Sequence, residues 1–220
     1  MISVLCPSRS RPEYAERMVN SVLANPGCDI EIILYLNEDD PMLDEYKTRI
    51  SADNYMIGPD QSTCYSWNIM AKKAKFDILF LIGDDSQVET ENWGQMVIKV
   101  FDQYKDKIVM VAPKAGTLGK NKCPHFFLHK NWVNTIGYFL PPQFYHHYVD
   151  HWVRDVAQTL HRYVHLPEFV MPIVKNVNDE VINRYTRSWL KERDTWLWDV
   201  TSRFKDADVA LLKDYITNFK

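Results

Sequence analysis

The first half of the chain alternates short apolar runs with longer segments whose apolar residues recur at helical spacing. Unbroken apolar runs of this length are typical of strands that are covered on both faces. The five predicted strands are Ile2–Cys6, Ile30–Leu36, Tyr55–Ile57, Ile78–Ile82 and Ile108–Ala112. Alternating strands and helices predict an α/β fold, with a mostly parallel sheet flanked by helices.

Helix signals lie between and after these strands. Ser10 and Glu13 match the Ser-x-x-Glu capping box and predict the start of the first helix. Further helices are predicted over about 62–74, over the segment that begins near Trp93, and over the segment that begins near Val149. Residues 113–147 are predicted to be rich in loops.

The end of the chain has a different pattern. From about Asn178 it is predicted to be helical, in two segments that part near Lys205. We therefore expect one α/β domain over 1–177. A helical C-terminal extension over 178–220 would pack on that domain or on a second subunit, which leaves a homodimer open.

Composition narrows the class of protein. The net charge of −3 over 220 residues argues against a surface devoted to nucleic acid. The four cysteines are widely spaced, which favours a reduced protein over a disulfide scaffold or a zinc site. No signal peptide is recognised, and no apolar run approaches the roughly 20 residues of a membrane helix. We expect a soluble, cytoplasmic protein.

The most informative stretch is Ile78–Asp85, where an apolar run leads into Gly83, Asp84 and Asp85. Acids at the carboxyl end of a buried strand lie where open α/β sheets bind ligands. Adjacent carboxylates repel each other, so a site that holds two of them needs a cation or a proton. Oxygen ligands suit a hard cation such as Mg²⁺ or Mn²⁺. The stretch therefore predicts a metal–diphosphate site.

Five motifs in order resemble a GT-A glycosyltransferase of the family-2-like group, including small phage and bacterial members. They are Cys6–Pro12 after the first strand, the acidic turn Asn37–Asp40, the helical Tyr65–Asn68, Gly83–Asp85 followed by Trp93, and Gly137–Phe139 followed by Tyr148–Asp150. The sequence departs from the family's Asp-x-Asp pattern because Ser86 occupies the third position, so only Asp84 and Asp85 are available.

The resemblance implies transfer of a sugar from a nucleotide-diphosphate donor, most simply a UDP-sugar, to an acceptor hydroxyl with inversion. Asp150 would be the general base, Asp84 and Asp85 would bind Mn²⁺ or Mg²⁺, and His147 and His151 would contact acceptor or diphosphate. The residues predicted to bind the donor are Pro7, Ser8, Arg9, Arg11, Asn37, Glu38, Asp39, Asn68 and Asp84.

Other interpretations stay open. Asp150 also fits a first-turn helix acid, or an ion pair with Arg154. His147 and His151 lie four residues apart and would share a face if both were helical, so a metal site is conceivable. Two rival functions stay open: a nucleotidyltransferase, and a non-catalytic binding module on the same fold. The acceptor is a glycan or another hydroxyl compound, and a modified DNA base is not excluded.

Overall fold

The computed structural model describes residues 1–115, 123–174 and 188–219. Seven strands form one sheet in the order β3-β2-β1-β4-β6-β5-β7. They are β1 (Ile2–Ser8), β2 (Ile30–Asn37), β3 (Asn54–Gly58), β4 (Ile78–Leu81), β5 (Met110–Lys114), β6 (Phe126–His129) and β7 (Tyr163–Val170). Pairing is parallel except where β6 runs antiparallel to β4 and β5.

Helices cover both faces of the sheet. They are α1 (Pro12–Ala24), α2 (Leu43–Arg49), α3 (Thr63–Lys73), α4 (Trp93–Asp102), α5 (Lys130–Ile136), α6 (Val149–Thr159), α7 (Ser188–Thr201) and α8 (Lys205–Asn218). Side chains alternate across each strand, so Val4 packs with one core and Leu5 with the other. The first core includes α1 and α4, and the second includes α3, α5, α6 and α8. This arrangement confirms the predicted α/β class.

The strand order places the ligand-binding edge. The chain passes from β1 outward to β2 and β3, then returns through α3 to β4 on the other side of β1. The carboxyl ends of these four parallel strands therefore meet at one edge, and the order reverses between β1 and β4. Open α/β sheets bind ligands in the crevice at such a reversal.

Two local predictions are wrong. Ser10 does not cap α1: it lies before the Arg11 N-cap, with a left-handed φ of 53°, and its backbone N–H donates to Asp40. Pro12 begins the helix instead, where its missing N–H costs nothing. The region predicted to be rich in loops contains strand β6 and helix α5, whose apolar runs are too short to show a period.

Strand β7 continues through Pro167. Proline is tolerated because β7 is the edge strand and its register with β5 shifts between Pro113 and Lys114. Met171 follows and is fully buried in the core.

The C-terminal helices contact the body of the protein. Helix α8 packs against α5 and α6, and its Leu212 is fully buried. The two helices are separated by a short 3₁₀ turn over Ser202–Phe204, which agrees with the predicted break near Lys205. Residues 178–187, which were predicted to be helical, and the predicted domain boundary at 177 lie outside the described residues. Within the described chain, no helix combines the length and the apolar character needed to cross a lipid bilayer.

Candidate functional site

A cleft opens at the carboxyl ends of β1 to β4. Its volume is about 840 Å³ with open solvent included. It is lined by Pro7, Ser8, Arg9, Arg11, Asn37, Asp60, Gln61, Thr63, Ser66, Trp67, Gly83, Asp84, Asp85 and His146. Six of the nine predicted donor-binding residues line it: Pro7, Ser8, Arg9, Arg11, Asn37 and Asp84.

Asp84 is the central acid of the cleft, and Ser8 and Arg11 donate hydrogen bonds to its carboxylate. Its side chain is 2% exposed, and it accepts a hydrogen bond of 2.5 Å from the Ser8 hydroxyl. Arg11 donates to both carboxylate oxygens of Asp84: Nε lies 3.1 Å from Oδ2, and Nη2 donates to Oδ1. Tyr46, which the sequence did not single out, bonds both the Ser8 hydroxyl and the Arg11 N–H. This network joins β1 to the loop after β4 across the point where the strand order reverses.

Asp85 is the second acid and is half-buried. Within the described residues its carboxylate forms no hydrogen bond or ion pair, and it lines the cleft. Gly83 makes room for it, because a Cβ on Gly83 would lie 2.7 Å from Asp85 Oδ1. Behind it lies His125, whose Nε2 is 2.8 Å from the Ser86 hydroxyl and whose buried Nδ1 lacks a partner in the described structure. Burial lowers the pKa of His125 to about 4, so the ring is neutral near pH 7.

In the part of the chain that the structure describes, the cleft offers few ligands for the predicted divalent metal ion. Among the described residues, no group of three or more His, Cys, Asp or Glu side chains could hold a metal ion. Asp84 accepts hydrogen bonds from Arg11 and Ser8, and its binding of a metal ion together with Asp85 stays a prediction. Mg²⁺ is often held by one or two carboxylates together with substrate phosphates. Asp85 fits that arrangement.

The acidic turn after β2 contributes less than predicted. Glu38 and Asp39 are exposed and do not line the cleft. Asp39 pairs with Arg9 at the rim of the cleft. Asn37 does line the cleft, and its amide donates to Asp60 Oδ1 at 3.1 Å. Of this turn, therefore, only Asn37 lies in the cleft wall.

Asn68 has a structural position outside the cleft, which does not support its predicted contact with the donor. Its Oδ1 accepts the N–H groups of Phe139 and Leu140 at 2.7 and 3.0 Å, and its amide donates to Leu140 O. The cleft side of α3 instead carries Thr63, Ser66 and Trp67. These positions are spaced i, i+3 and i+4, so one helical face supplies them and Asn68 lies off that face. This periodicity was readable from the sequence.

The predicted base Asp150 lies in the first turn of α6 and is not in the cleft lining. Its Oδ1 is 3.2 Å from His151 Nδ1, whereas Arg154 pairs with Asp155. Burial raises the pKa of Asp150, but the neighbouring His151 outweighs burial and holds that pKa below its usual value. Asp150 is therefore ionised at neutral pH.

His147 lies before α6, because the helix begins at Val149 and Tyr148 is left-handed with a φ of 68°. It therefore does not share a helical face with His151, and the metal site that such a face would provide is not formed. The neighbouring His146 is the histidine that lines the cleft, with its Nδ1 3.3 Å from the Thr63 hydroxyl. Burial and the charge of His147 lower the pKa of His146 to about 4.

No protein-family model and no curated protein matches this sequence. Solved structures do resemble the fold. One is TarS 1-349 of S. aureus in complex with UDP, with a TM-score of 0.60 at 12% identity over 78% of this chain and 59% of that one. The same protein in complex with UDP-GlcNAc gives 0.61 at 12% identity over 100% and 73%.

A third similar structure is the mannosyltransferase PcManGT from Pyrobaculum calidifontis in complex with GDP-Man and Mn²⁺, with a TM-score of 0.63 at 9% identity over 96% of this chain and 69% of that one. The chain thus spans 59% of the first of these structures. These likenesses confirm the predicted fold class, a sheet flanked by helices as in glycosyltransferases.

Proposed function

We propose that the protein transfers a sugar from a nucleotide-diphosphate donor, most simply a UDP-sugar, to an acceptor hydroxyl. The observation that carries this proposal is the cleft at the strand-order reversal, where Arg11, Asp84 and Asp85 meet. The shared fold with glycosyltransferases supports it, since those structures hold UDP, UDP-GlcNAc and GDP-Man. Membership of the family-2-like group is part of the same proposal.

Donor binding is assigned to the strand ends. The β1 loop brings Arg9 and Arg11 to the cleft, and α3 directs its N-terminal turn toward the cleft through Thr63. Guanidinium groups and helix N-termini both favour anions, so the donor diphosphate belongs between them. Asn37 and Asp84 lie on the two sides of this position and suit the ribose and base. Glu38, Asp39 and Asn68 are not kept in this assignment.

A divalent ion, Mn²⁺ or Mg²⁺, would be held by Asp85 and the donor phosphates. When bound, it would supply positive charge for the leaving diphosphate.

Asp150 is assigned the role of general base. An ionised carboxylate can accept the proton of the acceptor hydroxyl as that oxygen attacks the anomeric carbon, while the nucleotide diphosphate leaves from the opposite face. His151 holds one carboxylate oxygen of Asp150 at 3.2 Å and so orients the side chain. Attack from the face opposite the leaving group gives inversion at the anomeric carbon.

The test is sugar transfer by Asp150→Asn, with Asp155→Asn as the matched control on the same helix. Asp150→Asn should lower kcat by at least 10²-fold and leave the Kd for UDP unchanged, since general-base catalysis contributes about 10²–10⁴-fold. Asp155→Asn should retain transfer. Normal turnover of Asp150→Asn would refute the assignment of the base.

A non-catalytic nucleotide-binding module is the second candidate. The engagement of Asp84 by Arg11 and Ser8 favours it, because the described residues then leave only Asp85 for a metal ion. Thermal-shift measurements with UDP, GDP, CDP and TDP, with and without Mn²⁺, would identify the nucleotide. Incubation with the matching nucleotide-sugars and Mn²⁺ then separates the functions. Nucleotide binding without release of free nucleotide from any donor would favour the module.

A further inference from the structure

Helix α7 presents a fully buried carboxylate to the segment that precedes α6. Asp194 is 0% exposed. It accepts the backbone N–H of Tyr145 at 3.0 and 3.2 Å, that of His146 at 2.9 Å and that of His147 at 2.8 Å. Arg193 pairs with the same carboxylate at 2.8 Å and donates to Gln143 O at 3.1 Å. Three successive backbone donors are therefore satisfied by one side chain of the C-terminal extension.

A second contact from the same helix reinforces this one. Trp198 lies one turn beyond Asp194, and its ring stacks on Tyr148 with centroids 5.3 Å apart. It also contacts Phe144 and Trp152, at 6.5 and 6.4 Å. Lys205 lies over the Trp198 ring at 4.2 Å. Helix α7 thus holds both ends of the segment over residues 144–152, which we call the acceptor-side segment.

The acceptor-side segment connects the cleft to the proposed base. Its Tyr145 carbonyl accepts both the N–H and the hydroxyl of Thr63, at 3.0 and 2.8 Å, which ties it to the start of α3. Its His146 lines the cleft, and its Asp150 lies in the first turn of α6. Most donor-binding residues are held differently, because Ser8 and Asn37 end strands of the sheet and Arg11 is the N-cap residue of α1.

We propose that Asp194 is a positioning residue, which fixes the acceptor-side segment so that Asp150 faces a donor bound at the strand ends. The inference rests on the proposed function. It divides the site into a donor half that the sheet holds and an acceptor half that α7 holds. Loss of Asp194 should therefore impair turnover more than donor binding, because misplacement of a catalytic group by about 1 Å can cost about 10²-fold in rate.

The experiment compares Asp194→Asn with Asp199→Asn, an exposed carboxylate on the same helix. Asn retains the shape of Asp but replaces one acceptor oxygen with a donor amide and removes the charge. We expect kcat for sugar transfer to fall at least tenfold in Asp194→Asn, with the Kd for UDP within threefold of wild type. Hydrogen exchange at the amides of residues 145–147 should accelerate at least tenfold. Asp199→Asn should match wild type in all three measurements, and Asp194→Glu should partly restore kcat.

Arg193→Gln is the milder variant and decides the matter if Asp194→Asn does not fold. It keeps the carboxylate but removes its ion pair, so the same changes should appear at smaller size. Accelerated exchange with unchanged kcat would overturn the positioning role, and unchanged exchange would overturn the contact itself. Equal losses of kcat and UDP affinity would indicate a merely structural role and also refute the proposal. If the wild type transfers no sugar from any donor, the proposed function fails separately, and UDP binding with hydrogen exchange still shows whether Asp194 orders the segment.

Discussion

Removal of Arg11 should expose how much the cleft depends on one ion pair. Arg11→Met keeps much of the aliphatic stem and deletes the guanidinium. Asp84, whose side chain is 2% exposed, then retains only the Ser8 hydroxyl of the donors described for it above. A buried carboxylate that loses its partner is strongly destabilising, because its charge is no longer compensated.

The magnitude follows from the two hydrogen bonds that are lost. Each hydrogen bond to a charged group contributes about 1.5–3 kcal/mol, and breaking a buried ion pair costs about 3–5 kcal/mol. Asp84 borders the open cleft, so water can replace part of the lost solvation. We therefore expect Arg11→Met to lower the free energy of unfolding by about 3 kcal/mol, the lower end of that range.

Urea unfolding of a double-mutant cycle measures this effect. Asp84→Asn removes the charge, so the double variant should recover at least about 2 kcal/mol relative to the sum of the single losses. Arg9→Met is the matched control, because its partner Asp39 is 59% exposed and such surface pairs contribute at most about 1 kcal/mol. A loss below about 1 kcal/mol in Arg11→Met, or strict additivity in the cycle, would refute the reasoning.

Three further predictions follow from charge and packing. The ion pair with Asp150 raises the pKa of His151, so the stabilisation is present below pH 6.5 and lost as pH rises through the raised pKa. His151→Asn should therefore lower the free energy of unfolding in urea by under about 1 kcal/mol at pH 5.5 and leave it unchanged at pH 9. Burial lowers the pKa of His125 from 6.5 to about 4, so the free energy of unfolding falls as pH drops through that interval. Wild type should lose on the order of 3 kcal/mol between pH 7 and pH 4 for this reason, and His125→Gln should not. The same dependence of the free energy of unfolding on acid pH in both proteins would contradict this. A Cβ on Gly94 would lie 2.8 Å from Pro26 O, so Gly94→Ala should cost about 1–3 kcal/mol in thermal unfolding, and a wild-type Tm would count against the packing argument.

The strand ends were the predictable part of the site. A buried strand is recognised by its apolar run, and parallel strands must bring their carboxyl ends to one edge. Ser8, Asn37 and Asp84 each follow or end such a run, and all three line the cleft. The antiparallel β6 was not predicted, because its four residues resemble a short apolar run within a loop and its partner β4 lies far away in sequence.

Which partner each side chain takes was harder to predict, because that choice depends on distances across the fold. Arg11 and Asp84 are 73 residues apart, and no local pattern predicts that they pair. Asp194 is 48 residues from His146, and no local pattern marks it as different from the exposed Asp199. The difference lies in burial: a carboxylate with no access to water must find donors, and the backbone of the acceptor-side segment is the set of donors within reach. Sequence patterns therefore indicated where the cleft lies, whereas the partner that each charged side chain takes depends on the folded chain.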